Sequence, residues 1–199
     1  MKKFTEVICI CEGKIQHLSY HKARIEHTYY TQFHRMPPQN FLPTIIPENA
    51  KTGLIKCRLV YNEELLEITY TPYQIKPRRK VAWVEDNSIY YAYKFEDRSC
   101  FNRWIERAPS FDDIIIVQDG LITDSCFANI VCVNKSGFFT PSRPLLRGTC
   151  RERLLAQNIL TPCDIPISEI HNYDSIIFIN AMMGIEDNIN CLPSQIYPL

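Results

Sequence analysis

The chain predicts an α+β fold in two domains, a smaller α/β domain over residues 1–76 and a larger one over 77–199. Strand-like and helix-like segments come in blocks, strands then a helix, more strands then another helix, rather than in strict strand-by-strand alternation. A connector rich in proline and charge, "QIKPRRK" (residues 74–80), separates stretches of different texture. With 199 residues, 46% of them hydrophobic, there is enough apolar material for a real core in each part.

In chain order, "FTEVICIC" (4–11), a turn at Glu12–Gly13–Lys14 and "IQHL" (15–18) read as a hairpin. Ser19 is placed to cap a helix from about Tyr20 to His34, which Pro37–Pro38 would stop. After a loop rich in Pro and Asn, "LIKCRLVY" (54–61) and "LLEITYTPY" (65–73) read as strands joined by a turn at Asn62–Glu63. Beyond the connector, "VAWVE" (81–85) and "SIYYAY" (88–93) flank a turn at Asp86–Asn87, and a helix follows from about Ser99 to Ala108, ended by Pro109. "DIIIVQ" (113–118), the turn Asp119–Gly120 and "LIT" (121–123) come next, then the hairpin "FANIVCV"–"FFT" around residues 135–137. A helix from about Gly148–Thr149 to Asn158 and a buried-looking strand, "SIIFIN" (175–180), complete the chain.

The 22 basic and 22 acidic side chains cancel, giving no electrostatic reason to expect nucleic acid or an anionic membrane as partner. The basic cluster Lys76–Lys80 reads as a solvated connector, with a polyanion patch as the alternative. Apolar runs such as Ile114–Val117 are far shorter than the ~18 residues of a spanning helix, and Glu6 spoils the pattern of a signal peptide. A cytoplasmic protein is expected. Nine cysteines are present without a C-x-x-C spacing. They are expected to be small buried hydrophobes in a reducing compartment, with no metal site.

Four pieces carry candidate chemistry. Lys94 sits where the aromatic run "SIYYAY" meets the next helix. On its own it reads as a surface lysine, but a lysine held partly out of water keeps its amine neutral and able to condense with a carbonyl. The protein supplies no carbonyl of its own, so a cofactor would be needed. In "RPLLRGTCRERLLAQ", Gly148, Thr149 and Cys150 fall at a helix start, where unpaired N–H groups and the helix dipole favour phosphate; many ordinary helices begin in the same way. Asp124 in "ITDSCFANIV" is a carboxylate at a strand end, either functional or a turn residue. Arg24 in "HKAR" offers a fork of donors to an anion, or is a solvated helix arginine.

The order of these pieces resembles the class IV aminotransferases, the fold-type IV enzymes that use pyridoxal 5'-phosphate. "HKAR" (His21–Arg24), Lys94, "ITDSCFANIV" (122–131), "TP" (Thr140–Pro141) and "RGTCR" (Arg147–Arg151) follow one another as that family's motifs do. The resemblance covers nearly the whole chain and implies a two-domain fold like that of D-amino-acid aminotransferases, with the N-terminal hairpin shortened. It implies that Lys94 carries the cofactor and moves protons, and that Arg24 with Gly148, Thr149 and Cys150 holds its phosphate. Asp124, standing where the family has Glu, would face the ring nitrogen. Asn129 would shape the turn beneath the cofactor, and the enzyme would be a homodimer acting on a small amino substrate.

Within the family, Ser99 replaces the tyrosine of branched-chain enzymes, whereas Arg98 and the run Asn180–Met183 resemble aminodeoxychorismate lyases. Conversion of 4-amino-4-deoxychorismate to 4-aminobenzoate and pyruvate is therefore the expected activity, as a step towards folate. Arg98, Asn180, Arg143 and Arg147 are the candidate substrate contacts. A D-amino-acid or branched-chain aminotransferase and a non-catalytic relative are the alternatives.

Overall fold

The structure is a computed structural model that describes residues 2–39, 41–43 and 45–199. The loop expected after the first helix includes Asn40 and Thr44, which lie outside the described residues. The chain divides into two compact units, one formed by residues up to Ile75 together with Tyr93–Asp97, the other by Lys76–Ala92 with Arg98–Leu199. The division expected after residue 76 does not show the return of 93–97 to the first unit.

In the first unit, β1 (Phe4–Cys11) pairs antiparallel with the two-residue strand β2 (Lys14–Ile15) and along its whole length with β3 (Leu54–Tyr61). β4 (Leu65–Pro72) closes the order β2-β1-β3-β4. Of "IQHL" only Ile15 is strand, because Leu18 already opens the helix α1 (Leu18–Phe33). Ser19 is not its cap. His17 holds that position in a left-handed conformation, and no side chain caps the helix. Helical spacing puts His21, Ile25, Thr28 and Tyr29 on the buried face of α1. Ile25 and Tyr29 pack over Phe4, Ile8, Leu59 and Tyr61, with the Tyr29 and Tyr61 rings stacked at 5.9 Å.

The second unit is built on a nine-stranded sheet. Its strands are β5 (Val81–Glu85), β6 (Asp113–Gln118), β7 (Leu121–Ser125), β8 (Asn129–Asn134), β9 (Gly137–Pro141), β10 (Leu160–Cys163), β11 (Ser175–Ile179), β12 (Asn190–Cys191) and β13 (Ile196–Pro198). The main path runs β10-β9-β8-β7-β6-β5-β13, while β11 joins β8 to β12. Two helices accompany it, α2 (Ser99–Arg107) and α3 (Thr149–Ala156). The apolar run Ile114–Val117 lies in β6, flanked on both sides, and is wholly buried. Cys150 and Leu154 of α3 pack on Val131, Ile177 and Ile179.

Two expectations fail here for identifiable reasons. Residues 88–93 do not form a strand, although Ile89 and Tyr91 are buried and Tyr90 is exposed. Both edges of β5 are already taken by β6 and β13, so the segment has no ladder to join. Side chains hold it instead: Gln118 Nε2 donates to the Asp86 and Ile89 carbonyls (3.2 and 2.8 Å), and Tyr91 packs edge-on against Phe101. The second failure is Arg78, expected in a solvated connector. It is buried, with Nε donating to Asp113 Oδ2 at 3.0 Å.

Candidate active site

Lys94 belongs to the first unit through its backbone. Phe95 N–H donates to Tyr93 O (2.7 Å), which makes Lys94 the middle of a three-residue turn. Thr5 N–H donates to Lys94 O at 2.7 Å, Glu96 N–H donates to Lys3 O at 2.9 Å, and Phe95 bridges Phe4. The segment thus extends the edge of β1. The Tyr93 and Phe95 rings turn into the first core, at 6.3 and 5.4 Å from the Phe4 ring. Lys94 lies between these two anchors, and its side chain is half-buried.

Arg24, also in the first unit, presents one edge of its guanidinium to Glu6: Nε donates to Oε2 at 3.2 Å and Nη2 makes a short contact with Oε1. His21 Nδ1 shares Oε1 at 2.5 Å. Burial by itself would raise the Glu6 carboxyl, but the charge of Arg24 and the bond and charge of His21 hold it down at about 2. Sequence reasoning did not single out Glu6; the visible signal is one acid in the otherwise apolar alternation of "FTEVICIC".

In the second unit, Asp124 is buried within β7. Its Oδ1 accepts from Asn129 Nδ2 (2.7 Å) and its Oδ2 from the Leu146 N–H (2.8 Å). Burial pushes this carboxyl up to about 6, against the opposing pull of those two donors and of the Arg151 charge. Asn129 Nδ2 also donates to Leu146 O (2.9 Å), and its Oδ1 lies under Gly148, where an added Cβ would come within 1.8 Å of it. Asn129 therefore couples Asp124 to the chain entering α3, a larger part than shaping a turn.

Gly148 is the N-cap of α3 and no side chain caps the helix, so the first N–H groups, those of Thr149 and Cys150 among them, are presented for an anion. Thr149 is buried, and the Cys150 thiol turns into the core beside Val131. Arg151 is buried as well, donating to Pro141 O and to Glu152, while its Nε has no partner among the described residues.

The four candidate substrate contacts separate. Arg98 donates to Cys126 O at 2.7 Å, and Asn180 Nδ2 donates to Phe127 O at 3.2 Å, so both grip the loop that follows Asp124. Arg98 also lies over the half-exposed Phe127 ring. Arg147 is exposed just before Gly148. Arg143 is exposed and paired with Asp164 at 3.3 Å, an ordinary surface ion pair. Behind the loop, Ser125 Oγ donates to Asp113 Oδ2 (2.9 Å) and accepts the Ala128 N–H (3.0 Å), so the buried Arg78–Asp113 pair supports it.

Residues 97–186 match the amino-transferase class IV family. An uncharacterized Haemophilus influenzae protein is 34% identical over 183 residues, which are 90% of this chain and 97% of the relative. The crystal structure of a Haemophilus somnus protein, provisionally named a 4-amino-4-deoxychorismate lyase, superposes with a TM-score of 0.83. It is 32% identical, over 92% of this chain and 98% of that one. The PLP-bound form of a hypothetical aminotransferase from Mycobacterium tuberculosis shares the fold at 13% identity, with a TM-score of 0.70 over 92% of this chain and 78% of that one. The chain belongs to the class IV aminotransferase family and is an enzyme of that fold.

Among the described residues, no group of three or more His, Cys, Asp or Glu side chains is placed to hold a metal ion. No helix among them is long and apolar enough to cross a membrane.

Proposed function

We propose that the protein is a pyridoxal-phosphate-dependent lyase that converts 4-amino-4-deoxychorismate to 4-aminobenzoate and pyruvate. The observation that carries the reading is the buried Asp124 carboxylate, tied through Asn129 to the uncapped start of α3. One rigid piece of the second unit thereby offers an acid and an anion site, the two groups that a phosphorylated pyridine needs. A Cβ-free residue at the helix entry, free helix N–H groups and a buried carboxylate all fit that cofactor. The choice of lyase rests on the resemblance of Arg98 and Asn180–Met183 to lyase motifs and on the name carried by the Haemophilus somnus relative.

The cofactor, when bound, withdraws electrons from the substrate carbon next to the amine. The chain's own groups do the rest. Lys94 takes the proton from the ring carbon that bears the amine; the bond to the enolpyruvyl oxygen then breaks and the ring becomes aromatic. The three-carbon fragment leaves as enolpyruvate, which becomes pyruvate by taking a proton on its methylene carbon, so that the proton removed by Lys94 is balanced. With the cofactor bound, an ionised Asp124 would partner the ring nitrogen, and Arg24, Thr149 and Cys150 would hold the phosphate. Arg98, Asn180 and Arg147 are read as substrate contacts or as supports of the loop that makes them. A homodimer follows from the family resemblance. The nine free cysteines suit the reducing cytoplasm.

The test is direct. Protein incubated with pyridoxal phosphate is expected to gain a visible absorption band that borohydride bleaches, and to release pyruvate from 4-amino-4-deoxychorismate with no 2-oxo acid present. Amino transfer that requires a 2-oxo acid, without pyruvate release, would identify a transaminase instead. A colourless protein would overturn both readings.

A further inference from the structure

Along β1, Phe4, Glu6, Ile8 and Ile10 share one face by the period of two, and all four are fully buried. Three of them are apolar. The fourth is a carboxylate, and α1 brings two partners to it from one helical face, His21 and Arg24. Burying an ion pair is an inefficient way to stabilise a core, since apolar side chains of similar volume do as well or better. A carboxylate gripping one edge of a guanidinium does supply direction, because the planar fork accepts only one in-plane arrangement. Exposure rises outward through the cluster, from 0% for the Glu6 side chain to 2% for His21 and 13% for Arg24. The guanidinium is anchored from below and reaches the surface of its unit. Thr28 Oγ1 donates to the Arg24 carbonyl at 2.9 Å, which holds the helix backbone at the same place.

We propose that Glu6, with His21, is a positioning residue for Arg24: the buried carboxylate sets the direction in which the guanidinium meets the phosphate of the cofactor. The inference rests on the proposed function, because it takes Arg24 as a phosphate ligand. It goes further in assigning the discrimination between phosphorylated and unphosphorylated cofactor to a residue that touches neither.

The experiment measures binding of pyridoxal phosphate and of pyridoxal to the full chain, with melting temperature as a control. Glu6→Gln is expected to weaken pyridoxal phosphate by about tenfold or more, the loss of roughly 1.4 kcal/mol of binding, and to leave pyridoxal within about twofold. Arg24→Lys, which keeps the charge and loses the fork, should reproduce that pattern. The double variant should lose no more than Arg24→Lys alone. His21→Gln, which leaves the ion pair in place, is the arm least exposed to misfolding and should show the same selectivity in smaller degree. In the wild type without cofactor, the Arg24 Nε–H resonance should be downfield and slow to exchange, and Glu6→Gln should abolish both features. Equal losses for the two ligands, or folded Glu6 and His21 variants with wild-type affinity, overturn the proposal. An Arg24→Lys variant that binds pyridoxal phosphate as tightly as the wild type also overturns it. Failure of the wild type to bind either ligand overturns the proposed function itself.

Discussion

The N–H of Thr5 donates to the carbonyl of Lys94 at 2.7 Å, and that bond makes the lysine part of the first unit. A residue 89 positions away in sequence is thus held on the edge of β1, between two aromatic rings that enter the core. Its backbone is fixed by that bond, and its side chain is half-buried. Lys94→Ala is therefore expected to abolish pyruvate release, since a positioned proton-transfer group contributes ~10²–10⁴-fold. The same change should leave thermal stability within about 0.5 kcal/mol of the wild type. A large fall in melting temperature would mean that the side chain has a structural part instead.

On the proposed function, Asp124 is expected to make cofactor binding depend on pH. Its folded-state pKa of about 6 lies above the ordinary 3.8, so the folded chain keeps an extra proton between those values. The stabilisation this gives is complete below pH 3.8 and is lost as pH rises to about 6. Binding of a protonated ring nitrogen needs the ionised form. The ratio of wild-type to Asp124→Asn affinity for pyridoxal phosphate is expected to rise by about tenfold from pH 5 to pH 7. Taking the ratio cancels the titration of the cofactor itself, and a flat ratio refutes the expectation.

Glu6 works with the opposite sign. Its folded-state pKa of about 2 lies below the ordinary 4.5. The stability it contributes is present above pH 4.5 and is lost as pH falls towards 2. Acid titration of the wild type should show a loss on the order of 3 kcal/mol in that window, and Glu6→Gln should remove that dependence. Unfolding in urea at pH 2.5, 3.5 and 5 measures it.

Gly148→Ala probes the link between the acid and the anion site. Its φ of −68° suits any residue, so the obstacle is steric: the new methyl would meet Asn129 Oδ1, on a side chain already bonded to Asp124 and Leu146. A loss of about 1–3 kcal/mol is expected. Cofactor affinity should fall along with melting temperature, because the side chain that must move is the one orienting Asp124. Reduced stability with unchanged affinity would show that Asn129 is only a packing residue.

Arg78→Met leaves Asp113 buried without its cation. Burial raises the Asp113 carboxyl, and Arg78 is the largest influence opposing that rise. Removing one partner of such a pair costs about 3–5 kcal/mol. Denaturant unfolding should show most of that cost, and the pair Arg78→Met/Asp113→Leu should recover part of it. The recovery is limited because Ser125 Oγ and the Ile114 N–H also bond to Asp113.

The candidate residues Arg24, Lys94, Asp124 and Gly148–Cys150 were named from residue types in order, Arg24 within a helix and the others near element ends or a helix start. What was not legible was the bonding among them. Asn129 reads as a turn residue until β7 and β8 place it between Asp124 and Gly148. Arg78 reads as solvated until β6 places Asp113 beside it, and the alternation of 88–93 reads as a strand until β5 is seen to have no vacant edge.

By itself the sequence determined the α+β class, the helix and strand segments with strong periodicity, and the ordered motifs of the family, because these depend on neighbours a few residues apart. Only the tertiary structure decided that residues 93–97 return to the first unit, that Glu6 holds Arg24, and that Arg143 is spent on Asp164. Those outcomes depend on which strand edges and buried charges find partners far away in sequence, and no local preference encodes that choice.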